Sequence, residues 1–512
     1  MRFLYVLFCF CWSLNSVYAQ RSYRKVILGP EINSPYAEGQ AVISADGQTL
    51  FVYRVGHPSN VGARLYAGDE DIWYAERQAD GSFGKLRNIG PPLNTADNNA
   101  VFGISGDGQT LFLYDQYDLD ETSINITTFA ISKRTRKGWS KPKSIAVKGF
   151  RWREGLAWLS ISVDKQVLLV AYHDAKDRRG EGEQDLYVAF AQDDGTYGPL
   201  KNLGPDLNTT GMEASPFLAA DNKTLYFASN GHGGYGSLDI FRSERLDDTW
   251  TNWSPPQNLG PNINTADWDS EFSITADGTT GYMTTGAYGK DANIYQVVIE
   301  SSERPKPVAK VFGKVRHQET DAPIPATIRY TELTDKANTI SAQADEDGSY
   351  QIFLPAERLY SYTAEQEGFF AVSEPLDLRK LDAYTAIEHD IYLVPIAVGN
   401  KIQLNNLFFQ QSKADLLPQS TPELKRLYQL LKENPGLRIK IIGHTDNVGN
   451  PFKNRVLSFE RANKVRDYLT QAGIATNRIQ TEGKGGDEPL NDNSTETLRQ
   501  QNRRVEFLIL QK

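Results

Sequence analysis

Three patterns along the sequence predict a multidomain protein that is mostly β. An aspartate turn recurs five times before residue 300, short strands with a different pattern follow, and strands alternate with helices after residue 400. The first pattern is typical of an all-β propeller with five blades, and the second of a β-sandwich. The third predicts an α/β domain with the element order βαβαββ. A length of 512 residues accommodates three or four such domains.

The chain begins with a segment typical of an export signal. Arg2 precedes an apolar run, and Val17-Tyr18-Ala19 supplies a small-residue cleavage site, so we expect a signal peptide at residues 1–19. Both cysteines, Cys9 and Cys11, lie inside it, and the mature chain is expected to contain no disulfide or cysteine-bound metal. A membrane anchor is the first alternative, but the apolar run is short for a span. Lipid attachment is the second, and the bulky residues before both cysteines count against it.

Residues 20–300 are predicted to form the five blades. Turns resembling Ala-Asp-Gly recur at a spacing of roughly 57 residues, each before a strand such as Thr-Leu-Phe. Segments resembling Asp-Ile-Trp and Leu-Gly-Pro complete each unit. Four short strands per unit, separated by Gly, Asn and Asp turns, are typical of a propeller blade. The repeated aspartates are Asp46, Asp107, Asp164, Asp221 and Asp277.

The two ends of this region predict how the ring closes. The fifth unit stops near Glu300 without its Leu-Gly-Pro segment, and that segment stands at the N-terminus as Leu28-Gly29-Pro30. We expect the first strand to complete the fifth blade, which removes open sheet edges. The units resemble the TolB-type, WD-like propeller repeats of bacterial envelope proteins. The second unit departs from the pattern, with Lys141-Pro142-Lys143-Ser144 in place of Leu-Gly-Pro.

Two further features of the repeats bear on function. A polar residue stands eight positions before four of the repeated aspartates, and we expect it to satisfy turns or strand ends. The alternative is a ring around the channel that holds a cation or a peptide end. Long insertions at 55–70 and 173–184 are expected to line a rim where proteins dock. The four polar residues are Glu38, Asn99, Glu213 and Asp269.

A linker and a β-sandwich are predicted between the repeats and the last domain. Residues 301–307 contain two prolines and three charged residues, which is typical of a linker. Residues 308–395 resemble the carboxypeptidase regulatory-like β-sandwich, which implies a spacer without catalysis. The group Asp345-Glu346-Asp347-Gly348-Ser349 is similar to part of a calcium loop. It lacks the remaining ligands, so a hairpin turn is expected.

Residues 400–512 alternate between strands and helices. The patterns predict strands at 402–409, 437–443, 478–482 and 504–510, and helices at 421–433 and 453–472. The second helix has a stripe of apolar and small residues with one charge, Arg461, in its middle. A guanidinium in such a stripe must be paired, and Asp446 in the preceding loop is expected nearby. The pair either forms an internal salt bridge or binds a zwitterion. The other stripe residues are Leu457, Ser458, Ala462, Val465, Tyr468, Leu469 and Ala472.

The motif around this helix resembles the C-terminal domain of the OmpA family. It consists of Asn454-x-x-Leu457-Ser458-x-x-Arg461-Ala462, with His444-Thr445-Asp446 upstream and Asn502-Arg503-Arg504-Val505-Glu506 downstream. The resemblance implies non-covalent binding of peptidoglycan, in which Asp446 takes the ammonium of diaminopimelate and Arg461 its carboxylate. Thr445, Asn447, Asn454 and Arg503 are expected to complete the site. The segment Phe408-Phe409-Gln410-Gln411 lacks the acidic residue that is frequent there in the family.

Charge and motifs limit the function further. The net charge is −9, yet residues 400–512 contain 18 Lys or Arg against 12 Asp or Glu, which favours contact with an anionic polymer. There is no Gly-x-Ser-x-Gly or His-Glu-x-x-His motif, and the six histidines lack metal-ligand spacing. We therefore expect a non-enzymatic protein without cofactor or metal that binds peptidoglycan, not nucleic acid.

The expected location is the periplasm, with association to the outer membrane through partners. The repeats are expected to present a docking surface to an envelope or secretion-machinery protein. One alternative is an enzyme whose propeller processes the wall or its glycan. Another is a stator-type module of a motor or secretion machine.

Overall fold

A computed structural model describes residues 23–62, 68–114, 128–150, 157–173, 184–192, 194–286, 291–333, 339–370, 372–410 and 412–512. The predicted signal peptide lies outside these ranges. The chain divides into two compact units. The first takes the chain as far as Val311, together with Gln351–Glu357 and Lys380–Ile387. The second takes Phe312–Tyr350, Arg358–Arg379 and Glu388–Lys512.

In its described residues the first unit contains five antiparallel sheets, each built on a row of four strands. Four of these rows follow the chain order, and the fifth takes its outer strand from the N-terminus. One consists of β2 (Glu38–Ile43), β3 (Thr49–Val55), β4 (Glu70–Glu76) and β5 (Arg87–Asn88). The next consists of β6 (Val101–Ile104), β7 (Thr110–Tyr114), β8 (Thr128–Thr135) and β10 (Lys143–Ala146), with β9 (Gly138–Trp139) added beside β8. The third consists of β11 (Trp158–Ile161), β12 (Val167–Tyr172), β13 (Asp185–Phe190) and β14 (Lys201–Asn202). The fourth consists of β15 (Glu213–Leu218), β16 (Thr224–Ser229), β17 (Asp239–Glu244) and β18 (Gln257–Asn258). The fifth consists of β19 (Asp269–Ile274), β20 (Thr280–Thr285), β21 (Asn293–Ile299) and the N-terminal β1 (Tyr23–Ile27).

The first strands of the five sheets are neighbours in cyclic order. Strand β2 contacts β6, β6 contacts β11, β11 contacts β15, β15 contacts β19, and β19 contacts β2. The residues just before the repeated aspartates surround one aromatic side chain, Phe353. They are Ala45, Val163, Ala220 and Ala276, together with Gly106, whose added Cβ would lie 3.2 Å from the Phe353 ring. Phe353 and the residues before the five repeated aspartates thus form one buried cluster.

The N-terminal segment completes the fifth sheet. Strand β1 pairs with β21 from Tyr23 opposite Ile299 to Ile27 opposite Tyr295, as the predicted closure requires. The Asn33 amide donates to the carbonyl of Ile294 at 3.0 Å and accepts from its N–H at 2.8 Å. Asn94, Asn208 and Asn264 make the same pair of bonds to a strand of the preceding sheet.

The four polar residues of the repeats have a structural role, as expected. Glu38, Asn99, Glu213 and Asp269 are fully buried, and each accepts bonds from the backbone N–H and the hydroxyl of a Ser or Thr four residues earlier. Their oxygens thus fix the turns that lead into the first strands of four of the five sheets, β2, β6, β15 and β19. The Leu-Gly-Pro segments lie in turns that follow the short fourth strands, at β5, β14 and β18. The second unit has its fourth strand, β10, despite the departure in sequence.

Two sheets follow in the region predicted as a sandwich. One has the order β25 (Ser349–Pro355), β22 (Val308–His317), β30 (Ile391–Pro395), β27 (Phe369–Phe370), with β29 (Thr385–Glu388) beside β22. The other has the order β24 (Thr339–Gln343), β23 (Thr327–Glu332), β26 (Leu359–Glu365), β28 (Val372–Asp377). The turn at 345–349 joins β24 to β25, which lie in different sheets, so the predicted hairpin is wrong. The predicted linker contains a 3₁₀ turn, Ser301–Glu303.

The last part of the chain forms a mixed sheet with three helices. The sheet order is β31 (Lys401–Gln403), β34 (Val505–Gln511), β32 (Arg438–His444), β33 (Ile479–Gly485), and only β32 and β33 are parallel. The helices are α1 (Thr421–Glu433), α2 (Pro451–Gln471) and α3 (Glu496–Asn502). The predicted order βαβαββ thus lacked α3, and the first strand is shorter than predicted. Across the described ranges, no helix has the length and apolarity needed to cross a membrane.

Helix α2 packs on this sheet through the predicted stripe. Ser458, Arg461, Ala462, Val465 and Leu469 are buried. The stripe ends before Ala472, which is exposed. The opposite side of the helix is exposed to water. A charged residue on the buried side, Arg461, costs free energy unless a partner compensates its charge.

Deleting residues 20–36 is expected to destabilise the five-sheet unit. The deletion removes Tyr23 and Ile32, which are 5% and 2% exposed. Their burial contributes on the order of 3–5 kcal/mol, which corresponds to a fall in Tm on the order of 10 °C. Thermal unfolding followed by tryptophan fluorescence measures this, with Arg24→Ala, an exposed change in the same strand, as control. An unchanged Tm for the deletion would contradict the closure.

Candidate ligand-binding site

The loop between β32 and α2 presents Asp446 in a fixed conformation. The N–H of Thr445 donates to the carbonyl of Gly485 at 2.8 Å, which ties the loop to β33. Asp446 Oδ1 accepts from the N–H of Val448 at 3.0 Å. The Asn450 side chain accepts from the N–H of Lys453 at 3.1 Å and caps the helix. The second carboxylate oxygen of Asp446 therefore remains for another partner.

Two glycines let α2 lie directly on the sheet. A Cβ on Gly443 would lie 2.1 Å from the carbonyl oxygen of Ser458, and one on Gly483 would lie 2.5 Å from the backbone nitrogen of Phe459. Only glycine permits such an approach. The Ser458 hydroxyl accepts from the N–H of Gly485 at 2.9 Å. Because Arg461 follows Ser458 by one turn on the same side, this contact also fixes its position.

Among the described residues, Arg461 is a buried cation that no carboxylate pairs with. Only 8% of the residue is exposed. Its Nε donates to the carbonyl of Lys413 at 3.1 Å, and its guanidinium carbon lies 4.9 Å from the centre of the Phe409 ring. Burial lowers the pKa of Arg461, the charge of Arg503 lowers it further, and Asp446 acts in the opposite direction. Within the described part of the chain Arg461 has no ion pair, so the internal salt bridge to Asp446 is not found.

Asp446 is paired with Arg503 instead. Its Oδ2 lies 2.7 Å from Arg503 Nη1, and the other terminal nitrogen of Arg503 lies 2.6 Å from Glu496 Oε1. The side chains of Asp446 and Arg503 are 13% and 33% exposed, whereas Glu496 is 67% exposed. Glu496 also pairs with Arg499 at 3.0 Å. A chain of alternating charges thus runs from the cleft to the surface.

The other predicted site residues shape the loop. Asn454 donates to the carbonyl of Val448 at 3.0 Å and more weakly to that of Asp446 at 3.4 Å. The hydroxyl of the buried Thr445 donates to the Asp446 carbonyl at 2.8 Å. Asn447 is exposed at the tip. The structure therefore brings Asp446, Asn454 and Arg503 together, with Arg461 near enough for its charge to act on them.

Sequence reasoning missed three contributors to the site. Phe409 supplies a ring to the Arg461 guanidinium in the segment that lacks the family's acidic residue. Glu496 lies on α3, a helix too short for its periodicity to be seen. Lys413 contributes its backbone carbonyl, and because every residue has one, this contact could not be predicted from the side chain. Among the described residues, no group of His, Cys, Asp and Glu is suited to hold a metal ion.

A buried ionic group at the end of β32 stabilises the strand that leads into the loop. His444 Nε2 lies 2.8 Å from Glu506 Oε1, without the geometry of a hydrogen bond, and Arg504 Nη2 lies 2.6 Å from the same oxygen. Burial acts to raise the pKa of Glu506, but His444 and Arg504 outweigh it and lower this pKa to about 2. The carboxylate is thus charged at all but very acidic pH.

The stability of this sheet is expected to fall in acid. Because the folded pKa of Glu506 lies below its unfolded value, its contribution is complete above about pH 4.5 and is lost as the pH falls towards 2. The contribution is of the order of 1–3 kcal/mol. Hydrogen exchange of the β34 amides should show less protection in Glu506→Gln at pH 7 and a converging protection near pH 2. A difference that persists unchanged at pH 2 would contradict this.

Comparison with known proteins matches this part of the chain to one family. Residues 408–503 match the model described as "OmpA family". Outer membrane porin F of Pseudomonas fluorescens is 35% identical over 115 residues, which cover 22% of this chain and 35% of the porin. Peptidoglycan-binding protein ArfA of Mycobacterium tuberculosis (strain ATCC 25618 / H37Rv) is 38% identical over 115 residues, which cover 22% of this chain and 32% of ArfA.

A solved structure of the cell wall anchor of the T6SS from Pseudomonas aeruginosa is 28% identical, with a TM-score of 0.20, and the match covers 22% of this chain and 80% of that one. The chain spans only about a third of the length of the two curated relatives. Residues 408–503 form a C-terminal domain of the OmpA family.

Proposed function

We propose that this protein is a non-enzymatic component of the cell envelope that binds peptidoglycan non-covalently through residues 400–512. Arg461 and Asp446 would bind the carboxylate and the ammonium of a diaminopimelate side chain in the wall peptide. The observation that carries the proposal is the buried Arg461 guanidinium without a carboxylate partner in the described structure. The similarity to a relative named as peptidoglycan-binding supports the choice of ligand.

The electrostatics of the cleft favour a ligand carboxylate at Arg461. A buried charge without a counter-ion is costly, and a planar guanidinium binds a carboxylate through two parallel N–H donors. Nε of Arg461 is already used by the Lys413 carbonyl, which leaves the terminal nitrogens as the donors for a ligand. A carboxylate at this position would supply the counter-ion that the described part of the chain does not provide there.

Asp446 is suited to an ammonium, although it is not free. One of its oxygens is fixed by the N–H of Val448, and the other faces a cation, Arg503. The site is therefore already adapted to a positive group at this oxygen. A molecule with an ammonium and a carboxylate on one carbon, as in diaminopimelate, presents both charges at short separation.

Arg461→Ala and Asp446→Ala are expected to release the protein from purified sacculi. A charge-assisted contact contributes roughly 1.5–3 kcal/mol, or about ten- to a hundredfold in affinity. The loss should be larger for Arg461, since Asp446 already has Arg503 as a counter-ion. Co-sedimentation with sacculi measures the bound fraction, and free diaminopimelate should compete with the wild type.

Arg438→Ala is the matched control, because it removes the same charge from an exposed position at the other end of β32. It should sediment like the wild type. Circular dichroism should be unchanged in all three variants. Wild-type sedimentation of both site variants would show that the site is wrong, and unfolding of both would show a structural role.

The five sheets of the first unit are proposed to form a five-bladed β-propeller that presents a docking surface for an envelope protein. The cyclic contacts of the first strands and the pairing of β1 with β21 support this architecture. In each sheet a connecting segment joins the second strand to the third. In the described part of these loops, Val61 and Tyr235 are 45% and 53% exposed. An exported, periplasmic location, with outer-membrane association through the partner, fits this arrangement.

Replacing 55–70 and 173–184 with short Gly-Ser turns is expected to abolish capture of a partner by residues 20–395 from envelope extract. Residues 63–67 and 174–183 lie outside the described ranges. The control replaces the exposed turn at 79–82, which lies at the other ends of the strands. Quantitative mass spectrometry compares the three baits. If every co-purifying protein survives the loop replacement, the assignment of this rim fails.

A further inference from the structure

We propose that Arg503 occupies the place of the ligand's ammonium at Asp446 while the site is empty, and that Glu496 retains Arg503 when the ammonium arrives. This inference rests on the proposed function of the same site. It gives Arg503 the role of an exchangeable counter-ion and makes Glu496 a positioning residue outside the cleft.

The two terminal nitrogens of the Arg503 guanidinium contact two different carboxylates. Nη1 lies 2.7 Å from Asp446 Oδ2 and Nη2 lies 2.6 Å from Glu496 Oε1, so one planar group bridges two carboxylates. The Asp446 end is the buried one, with 13% of the side chain exposed against 67% for Glu496. An incoming ammonium can replace Nη1 at Asp446 while Nη2 keeps its bond to Glu496.

Without Glu496, the same exchange would leave Arg503 as an unpaired cation beside Arg461. These two guanidinium groups already repel each other, since the charge of Arg503 contributes to lowering the pKa of Arg461. Glu496 is held in place by Arg499 at 3.0 Å, and that contact keeps its second oxygen directed to Arg503. Glu496 therefore lowers the cost of displacing Arg503 from Asp446.

The exchange distinguishes ligands by their ammonium group. A dicarboxylate without amino groups can bind Arg461 and leave the pair of Arg503 and Asp446 intact. A zwitterion must displace Arg503 from Asp446 to use both of its charges. Substitutions at Arg503 and Glu496 should therefore change the affinity for a zwitterion and leave the affinity for a dicarboxylate unaltered.

Isothermal titration of the mature chain with meso-diaminopimelate and with pimelate, the same carbon chain without amino groups, tests this. Glu496→Gln should weaken diaminopimelate about two- to fivefold, the range for a pair that is largely exposed. Arg503→Gln should tighten it by a similar factor, because the ammonium no longer competes for Asp446. The double variant should bind like Arg503→Gln alone, since Glu496 acts only through Arg503. Pimelate should bind all variants equally, and Glu433→Gln, an exposed change on α1, should match the wild type throughout.

Two results would overturn the inference without touching the proposed function. Weakening of both ligands tenfold or more by Arg503→Gln would make Arg503 a direct carboxylate ligand. An effect of Glu496→Gln that persists in the double variant would show that Glu496 acts by another route. If the wild type binds no diaminopimelate, the inference and the proposed function both fail. Glu496 is exposed, so its variant tests the idea even if Arg503→Gln disturbs the end of α3.

Discussion

The buried guanidinium of Arg461 is the constraint on which the C-terminal site depends. A charge in this position is costly unless a counter-ion reaches it. The described chain supplies a backbone carbonyl and an aromatic ring, but no carboxylate. Asp446, whose charge acts on Arg461, is paired with Arg503 instead. Arg461 is therefore left without a carboxylate counter-ion in the described chain, and the carboxylate of the proposed ligand would supply one.

Close backbone packing keeps this arrangement in place. Gly443 and Gly483 allow α2 to touch the two parallel strands, β32 and β33, and the Ser458 hydroxyl joins the helix to Gly485. The loop that carries Asp446 starts at the same end of β32 and is tied to β33. Asp446 and Arg461 thus lie on elements that cannot move independently. Such a fixed arrangement lowers the cost of binding a ligand, because the charged groups are already in position. A larger residue at either glycine would push the helix away and separate the charges.

The sequence predicted the architecture where local signals were strong. Helix α1 has the predicted bounds. Pro422 favours a helix start at this position, and the periodic leucines indicate the helical face that is buried. The β1–β21 pairing followed from a missing repeat segment, and the structural role of Glu38 and its equivalents followed from their position before each turn. Helix α3 was missed because seven residues do not establish a period. The pairing of Asp446 with Arg503 joins residues 57 positions apart, and only the folded sheet order brings them together.

A crystal structure of the mature chain with meso-diaminopimelate bound tests the proposed site most directly. We expect a carboxylate of the ligand at hydrogen-bond distance from the terminal nitrogens of Arg461. We expect the neighbouring ammonium at Asp446 Oδ2, with Arg503 withdrawn to Glu496. Ligand bound elsewhere on the chain, or a site in which Arg461 faces no carboxylate at saturating ligand, would contradict it.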